Sequence, residues 1–299
     1  QVLVVAIPWR FKSSRPHHTH NICLPIRKVF LLQSSRRRKS VLCTIQIRFG
    51  LIYFGLEFVV LQFSTDMIAG TGGKRVNIPD YFLRRPALRD EDFVHFERLY
   101  RLMTEQEGTP ELTYDLSAPK WMFLSWLCET KNIVLHGSAN PAIAEFEPRQ
   151  SNDVNEFGNR RAVYAASDGI WPIYFAIVDR ECVTSLLNGC FRIPYDADGG
   201  YAYYYYFSVD QDALPHFPWK NGMIYLLPRD SFEQQAPIEF DGTRVEMTQW
   251  ASPVAVRPIA KLAVEPDDFP FLCQVEGHDP ALVAERAKRD PDGFPWRTP

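Results

Sequence analysis

The stretch Tyr201-Ala-Tyr-Tyr-Tyr-Tyr206-Phe207 limits what this chain can fold into more than any other. Successive side chains of a β-strand point to opposite faces, so this run puts aromatic rings on both faces of one strand. Such a strand needs cover on both sides, or else offers its rings as a stacking surface. The chain has the material for double cover. Its 299 residues are nearly half apolar and 14% aromatic, enough for one substantial core, and disorder of the whole is excluded.

Further strands are expected around this one: Cys182 to Ile193, Met223 to Pro228, Thr243 to Trp250 and Val254 to Val264, separated by Pro, Gly and Asp turns. Upstream, Ile133 to Leu135 and Ala162 to Ala166 read as short buried strands. Three helices frame them. Asp90 to Met103 carries apolar residues at three- and four-residue spacing behind an acidic first turn, with His95 on the surface. Ser117 to Cys128 opens with a capping Ser and a first-turn Pro and is then apolar nearly all round, as a buried helix is. Asp279 to Arg289 is a capped terminal helix with basic residues in its last turn. A shorter helix, capped by Ser167 or Asp168, carries Tyr174. The expected class is α+β: a mixed, largely antiparallel split sheet with N-terminal helices and a C-terminal helix.

Residues 1–66 differ from the rest. They hold ten of the 33 Lys/Arg but only two of the 36 Asp/Glu, which leaves 23 against 34 for the remaining residues. That acidic body repels phosphate backbones at long range, so nucleic-acid binding would need a local basic cleft. The apolar run Leu51 to Phe63 is about 13 residues long and contains Glu57, short of the roughly 20 a membrane span needs. It also lacks the small-residue cleavage site of a signal peptide. The first Met is Met67, and translation is expected to begin there, with residues 1–66 as upstream sequence or a basic tail, residues 67–130 as a helical segment and 131–299 as the main domain. His17, His18 and His20 are read as incidental. Cysteines 23, 43, 128, 182, 190 and 273 show no metal-ligand spacing, which fits a reduced, cytoplasmic protein.

The chain lacks a phosphate-binding P-loop, a GxGxxG, a GxSxG elbow and an HExxH. What remains is Leu135-His136-Gly137-Ser138 at a strand end. His136 can bond a hydroxyl there, Gly137 permits close backbone approach, and Ser138 supplies a hydroxyl. Downstream, Tyr164 and Tyr174 could present two rings to one slot fit for a flat heteroaromatic group, or pack in the core.

These pieces, with Phe157-Gly158 ahead of Val163-Tyr164-Ala165, resemble the ADP-ribosyltransferase-like superfamily in its histidine, tyrosine and glutamate branch, shared by poly(ADP-ribose) polymerases and RNA 2'-phosphotransferases. The likeness covers about residues 132 to 264. It implies that His136 bonds the adenosine ribose of NAD, that Ser138 and the Gly137 backbone hold ribose and nicotinamide amide, and that Tyr164 and Tyr174 flank the nicotinamide. Arg149, Arg160 and Arg161 could reach the pyrophosphate. The family's catalytic Glu stands on a late strand, where Glu246 and Gln249 compete, and Glu239 is less well placed. A carboxylate there would stabilise the oxocarbenium-like sugar, whereas a neutral amide would leave a domain that binds without turning over. The resemblance thus implies transfer of ADP-ribose from NAD to an unknown protein or nucleic-acid acceptor, NAD hydrolysis, or a catalytically inactive nucleotide- or partner-binding module of the same fold.

Overall fold

The computed structural model describes residues 45–47, 61–63, 78–151, 156–194, 200–240, 243–290 and 293–297. The chain divides into two compact units, one holding Val76–Pro299 and the other His18–Arg75. In the smaller unit two short strands, β1 (Ile45–Ile47) and β2 (Leu61–Phe63), pair antiparallel. Met67, the histidines at 17, 18 and 20, and the basic run around Arg36 lie outside the described residues.

The larger unit begins with β3 (Leu83–Arg84), α1 (Phe93–Thr104) and α2 (Lys120–Thr130). There follow β4 (Ile133–Ser138), β5 (Arg149–Gln150), β6 (Arg161–Ala166), α3 (Trp171–Ile177), β7 (Leu186–Pro194), β8 (Tyr201–Asp210), β9 (Gly222–Pro228) and β10 (Glu233–Gln234). The chain continues through β11 (Ile238–Phe240), β12 (Thr243–Met247), β13 (Gln249–Ser252), β14 (Ala260–Val264), β15 (Glu276–His278) and α4 (Pro280–Arg289). Two sheets result. One runs β10-β13-β6-β4-β9-β14 with β5 beside β6; the other runs β11-β12-β7-β8-β15 with β3 beside β8. Their strand ladders are antiparallel except for β8 with β15, so the class is α+β with mostly antiparallel sheets. The outer edge of β14 is lined by a bridge between Glu111 and Lys261, with the Leu112 amide donating to the Lys261 carbonyl and the Lys261 amide to that of Pro110.

Three sequence expectations change. Ser117 does not cap α2: Pro119 occupies that place, and no side chain bonds the first amides. The helix nonetheless buries every residue from Trp121 to Cys128, in the same core as the strands. The run Thr243 to Trp250 is not one strand. Its residues divide between β12 and β13, and these belong to different sheets, with Thr248 at the crossing. Of the run Val254 to Val264, only Ala260–Val264 forms a strand.

The aromatic strand β8 is covered on both faces. Tyr205 and Phe207 enter the main core, while Tyr206 packs with Leu187, Val283 and Trp296. The main core is centred on α3, which is buried throughout except for Phe175. Its side chains bond the β7-β8 sheet: Trp171 Nε1 donates to Asn188 Oδ1 at 2.8 Å and the Tyr174 hydroxyl to the Ser208 carbonyl at 3.0 Å. Asp168, fully buried, caps the helix. Its Oδ1 accepts from the amides of Ile170 at 2.9 Å and Trp171 at 2.6 Å, and its Oδ2 accepts from the Tyr205 hydroxyl at 2.6 Å.

On the opposite side α3 lies so close to β4 and β9 that only glycine fits beneath it. A Cβ at Gly137 would stand 1.8 Å from the Pro172 carbonyl oxygen, and one at Gly222 would stand 2.2 Å from that of Ala176. Gly137→Ala is therefore expected to lower stability by at least about 1–3 kcal/mol, the usual cost of overpacking, because the atom met is backbone and cannot swing away. Gly189→Ala, whose Cβ would meet only the Phe294 ring at 3.3 Å, is expected to cost less. Urea unfolding of the two variants checks the order, and equal midpoints would contradict it.

Candidate functional site

The motif strands are neighbours, but they barely pair. Between β4 and β6 the ladder holds a single pair, Leu135 with Ala166, after which the strands part. At the parting, His136 Nδ1 lies 2.7 Å from the Tyr164 carbonyl oxygen, so the imidazole does what a ladder hydrogen bond would otherwise do. A carbonyl can only accept. Nδ1 therefore carries the proton, and in the neutral ring Nε2 is an acceptor. Burial lowers the His136 pKa below the ordinary histidine value; the bond to the Tyr164 carbonyl works against this and the positive charge of Arg149 works with it. The ring also packs against Phe146 at 4.6 Å between centroids.

The loop after β4 folds back to support this corner. The Ser138 hydroxyl accepts from the Asn140 amide at 3.1 Å, and Asn140 Oδ1 accepts from the Ala142 amide at 3.0 Å. The buried Tyr225 of β9 donates its hydroxyl proton to the Asn140 carbonyl at 2.6 Å and accepts from the Ile143 amide at 3.0 Å. Phe146 then pairs with Val256. His136, Phe146 and Ser138 thus sit on a corner fixed by hydrogen bonds before any ligand arrives.

Other candidates are held elsewhere. Gly137 makes its close approach to α3 rather than to open space. The Tyr164 hydroxyl is engaged by the loop before β6, donating to the Phe157 or Arg160 carbonyl at 3.0 and 2.9 Å while accepting from the Arg160 amide at 2.8 Å. Tyr174 is 0% exposed and its ring lies against Phe207 and Phe269, so the slot between two tyrosine rings is not formed. The reason is the register of α3, whose Tyr174 points to the second sheet. Arg149 and Arg161 lie on the β5-β6 edge opposite Ala162 and Gln150, so alternation turns them to opposite faces, and both are exposed; Arg160 pairs with Glu233 at 3.1 Å.

The two late-strand candidates part company at Thr248. Glu246 lies in the second sheet, where Oε2 accepts from Arg192 Nε at 2.8 Å and Nη2 at 2.5 Å, and Oε1 from the Tyr201 hydroxyl at 3.0 Å. Gln249 lies in the first sheet beside Ala166, in the row that continues to Leu135. Alternation puts its side chain on the face of Leu135, opposite to His136. It is 7% exposed, and its amide oxygen has no donor among the described residues. Glu239 is exposed on β11.

Among the described residues no group of three or more His, Cys, Asp or Glu is arranged to hold a metal ion. No described helix is long and apolar enough to cross a membrane. No family model matches the chain, and neither a curated protein nor a solved structure matches it.

Burial alone would raise the Glu246 pKa, but the bonds from Arg192 and Tyr201 outweigh it and hold the carboxyl below its ordinary range. A carboxyl whose pKa is depressed on folding adds stability above its unfolded value of about 4.3, and that stability is lost as the pH falls through the folded value. Glu246→Gln should therefore flatten the decline of the urea midpoint between about pH 5 and pH 3. An unchanged decline would mean that the ion pair does not contribute.

Proposed function

We propose that the larger unit is an ADP-ribosyltransferase-like module that binds NAD at His136 and does not turn it over. One observation carries the reading: His136, its Nδ1 engaged by the Tyr164 carbonyl where β4 and β6 part, keeps Nε2 as an acceptor for a ribose hydroxyl. The two strands bearing the motifs are thereby joined through the motif histidine itself. Phe146 supplies a wall for a base or sugar, and Arg149, whose positive charge reaches His136, suits a pyrophosphate.

The lack of turnover follows from charge. Cleavage of the nicotinamide bond creates a cationic sugar, and a rigid carboxylate beside it would supply most of the stabilisation. Glu246 is bound to Arg192 in the other sheet, and Gln249 is neutral. Transfer of ADP-ribose to a protein or nucleic-acid acceptor would require Glu246 to leave its guanidinium, which the binding reading does not.

Calorimetric titration of NAD into the full chain is expected to show saturable binding. In His136→Ala binding should weaken by about 5- to 150-fold, since a ligand hydroxyl left unpaired in a cleft costs about 1–3 kcal/mol. Incubation with NAD should release no nicotinamide. Release that depends on the protein and disappears in Glu246→Gln would restore the transferase reading, and a folded protein that binds no NAD would remove both.

A further inference from the structure

A separate cluster stands on the second sheet, away from the residues of the His136 corner and independent of nucleotide binding. Ser185, the residue before β7, is half-buried, and its Oγ lies 2.8 Å from His278 Nε2. His278, at the end of β15 and 8% exposed, has its Nδ1 2.7 Å from the Oγ of the fully buried Ser208.

Each ring nitrogen of His278 thus faces a serine hydroxyl. With the proton of the neutral ring on Nδ1, Ser208 Oγ accepts it, Nε2 is bare, and the proton in the 2.8 Å gap belongs to Ser185. A serine hydroxyl donating to a bare imidazole nitrogen is the geometry of a nucleophile beside its general base. The position of the serine is also fixed: Asp210 Oδ2 accepts from the amide of the preceding Thr184 at 2.6 Å and from its hydroxyl at 2.7 Å. Burial lowers the His278 pKa against the fields of Asp210 and Asp279, which favours the neutral ring.

We propose that Ser185 is a nucleophilic serine, with His278 as its general base, that accepts the acyl group of a small carboxylic ester. Ser185 Oγ bonds to the carbonyl carbon as its proton passes to His278 Nε2. The carbon–oxygen bond to the alcohol breaks, and the departing oxygen takes that proton. Water then attacks the acyl-serine through the same base, releasing the acid and restoring Ser185. The substrate class follows from the half-buried hydroxyl, which a small, reactive carbonyl can reach.

A fluorophosphonate tests the pair directly, because attack by Oγ expels fluoride and leaves a stable adduct. The full chain at pH 8 is expected to gain one adduct, mapped by peptide mass spectrometry to Ser185. Ser185→Ala should gain none, and His278→Gln should react at least about 100-fold more slowly, the usual contribution of a general base. A second measurement needs no variant: brief exposure to p-nitrophenyl acetate followed by acid quenching should leave an acetyl group on Ser185. Wild-type protein that melts cooperatively yet carries neither adduct on Ser185 would overturn the proposal, as would labelling at the same rate in folded His278→Gln.

Discussion

The larger unit depends on the way α3 is held between two sheets. On one side the helix backbone rests against Gly137 and Gly222 at distances no side chain tolerates; on the other, Asp168, Trp171 and Tyr174 reach across to β7 and β8 by hydrogen bonds. A buried carboxylate costs several kcal/mol in desolvation unless its oxygens are satisfied, and Asp168 spends both on this task. The same group thus starts the helix and ties it to the second sheet. A seven-residue helix would be marginal by itself; here tertiary contacts on every side decide its existence.

Thr248 is the second point on which the arrangement turns. Its hydroxyl donates to the Cys190 carbonyl of β7 at 3.2 Å, while its own carbonyl accepts from the Ser167 amide at 2.8 Å. One residue thus joins the two sheets, and the alternation of the chain restarts on either side of it. Glu246 and Gln249, three positions apart, are separated by that restart: one enters an ion pair with Arg192, the other the row of Ala166 and Leu135. The distribution of charge around the first sheet follows from a backbone crossing rather than from side-chain type.

Much of the architecture was legible in the sequence. The periodicity of α1, the unbroken apolar run of α2 and the Asp-Pro start of α4 mark those helices, and the double-faced aromatic run demands the double cover it receives from the main core and from Trp296 and Val283. The sheet switch at Thr248 was not legible, because a β-period continued through a crossing looks the same as one long strand. For the site, the sequence singles out His136 and the structure gives it a role at the β4-β6 parting. Tyr174 could not be told from a ligand-facing ring by type alone, since orientation on a short buried helix depends on what surrounds it. The Ser185–His278 pair carried no local signal at all: 93 positions of chain separate two side chains that β7 and β15, on either side of β8, bring within 2.8 Å.

The segment along β14 has a consequence for how this protein meets others. An open sheet edge invites a foreign strand to add to it, whether in a regulated complex or in aggregation. At β14 that invitation is withdrawn by the protein itself: residues Pro110 and Leu112 already occupy the backbone groups of Lys261, and the Thr109 hydroxyl fastens the segment to the Pro258 carbonyl at 2.8 Å. A strand that extends the sheet at Lys261 would first have to displace Pro110–Leu112 from those backbone groups.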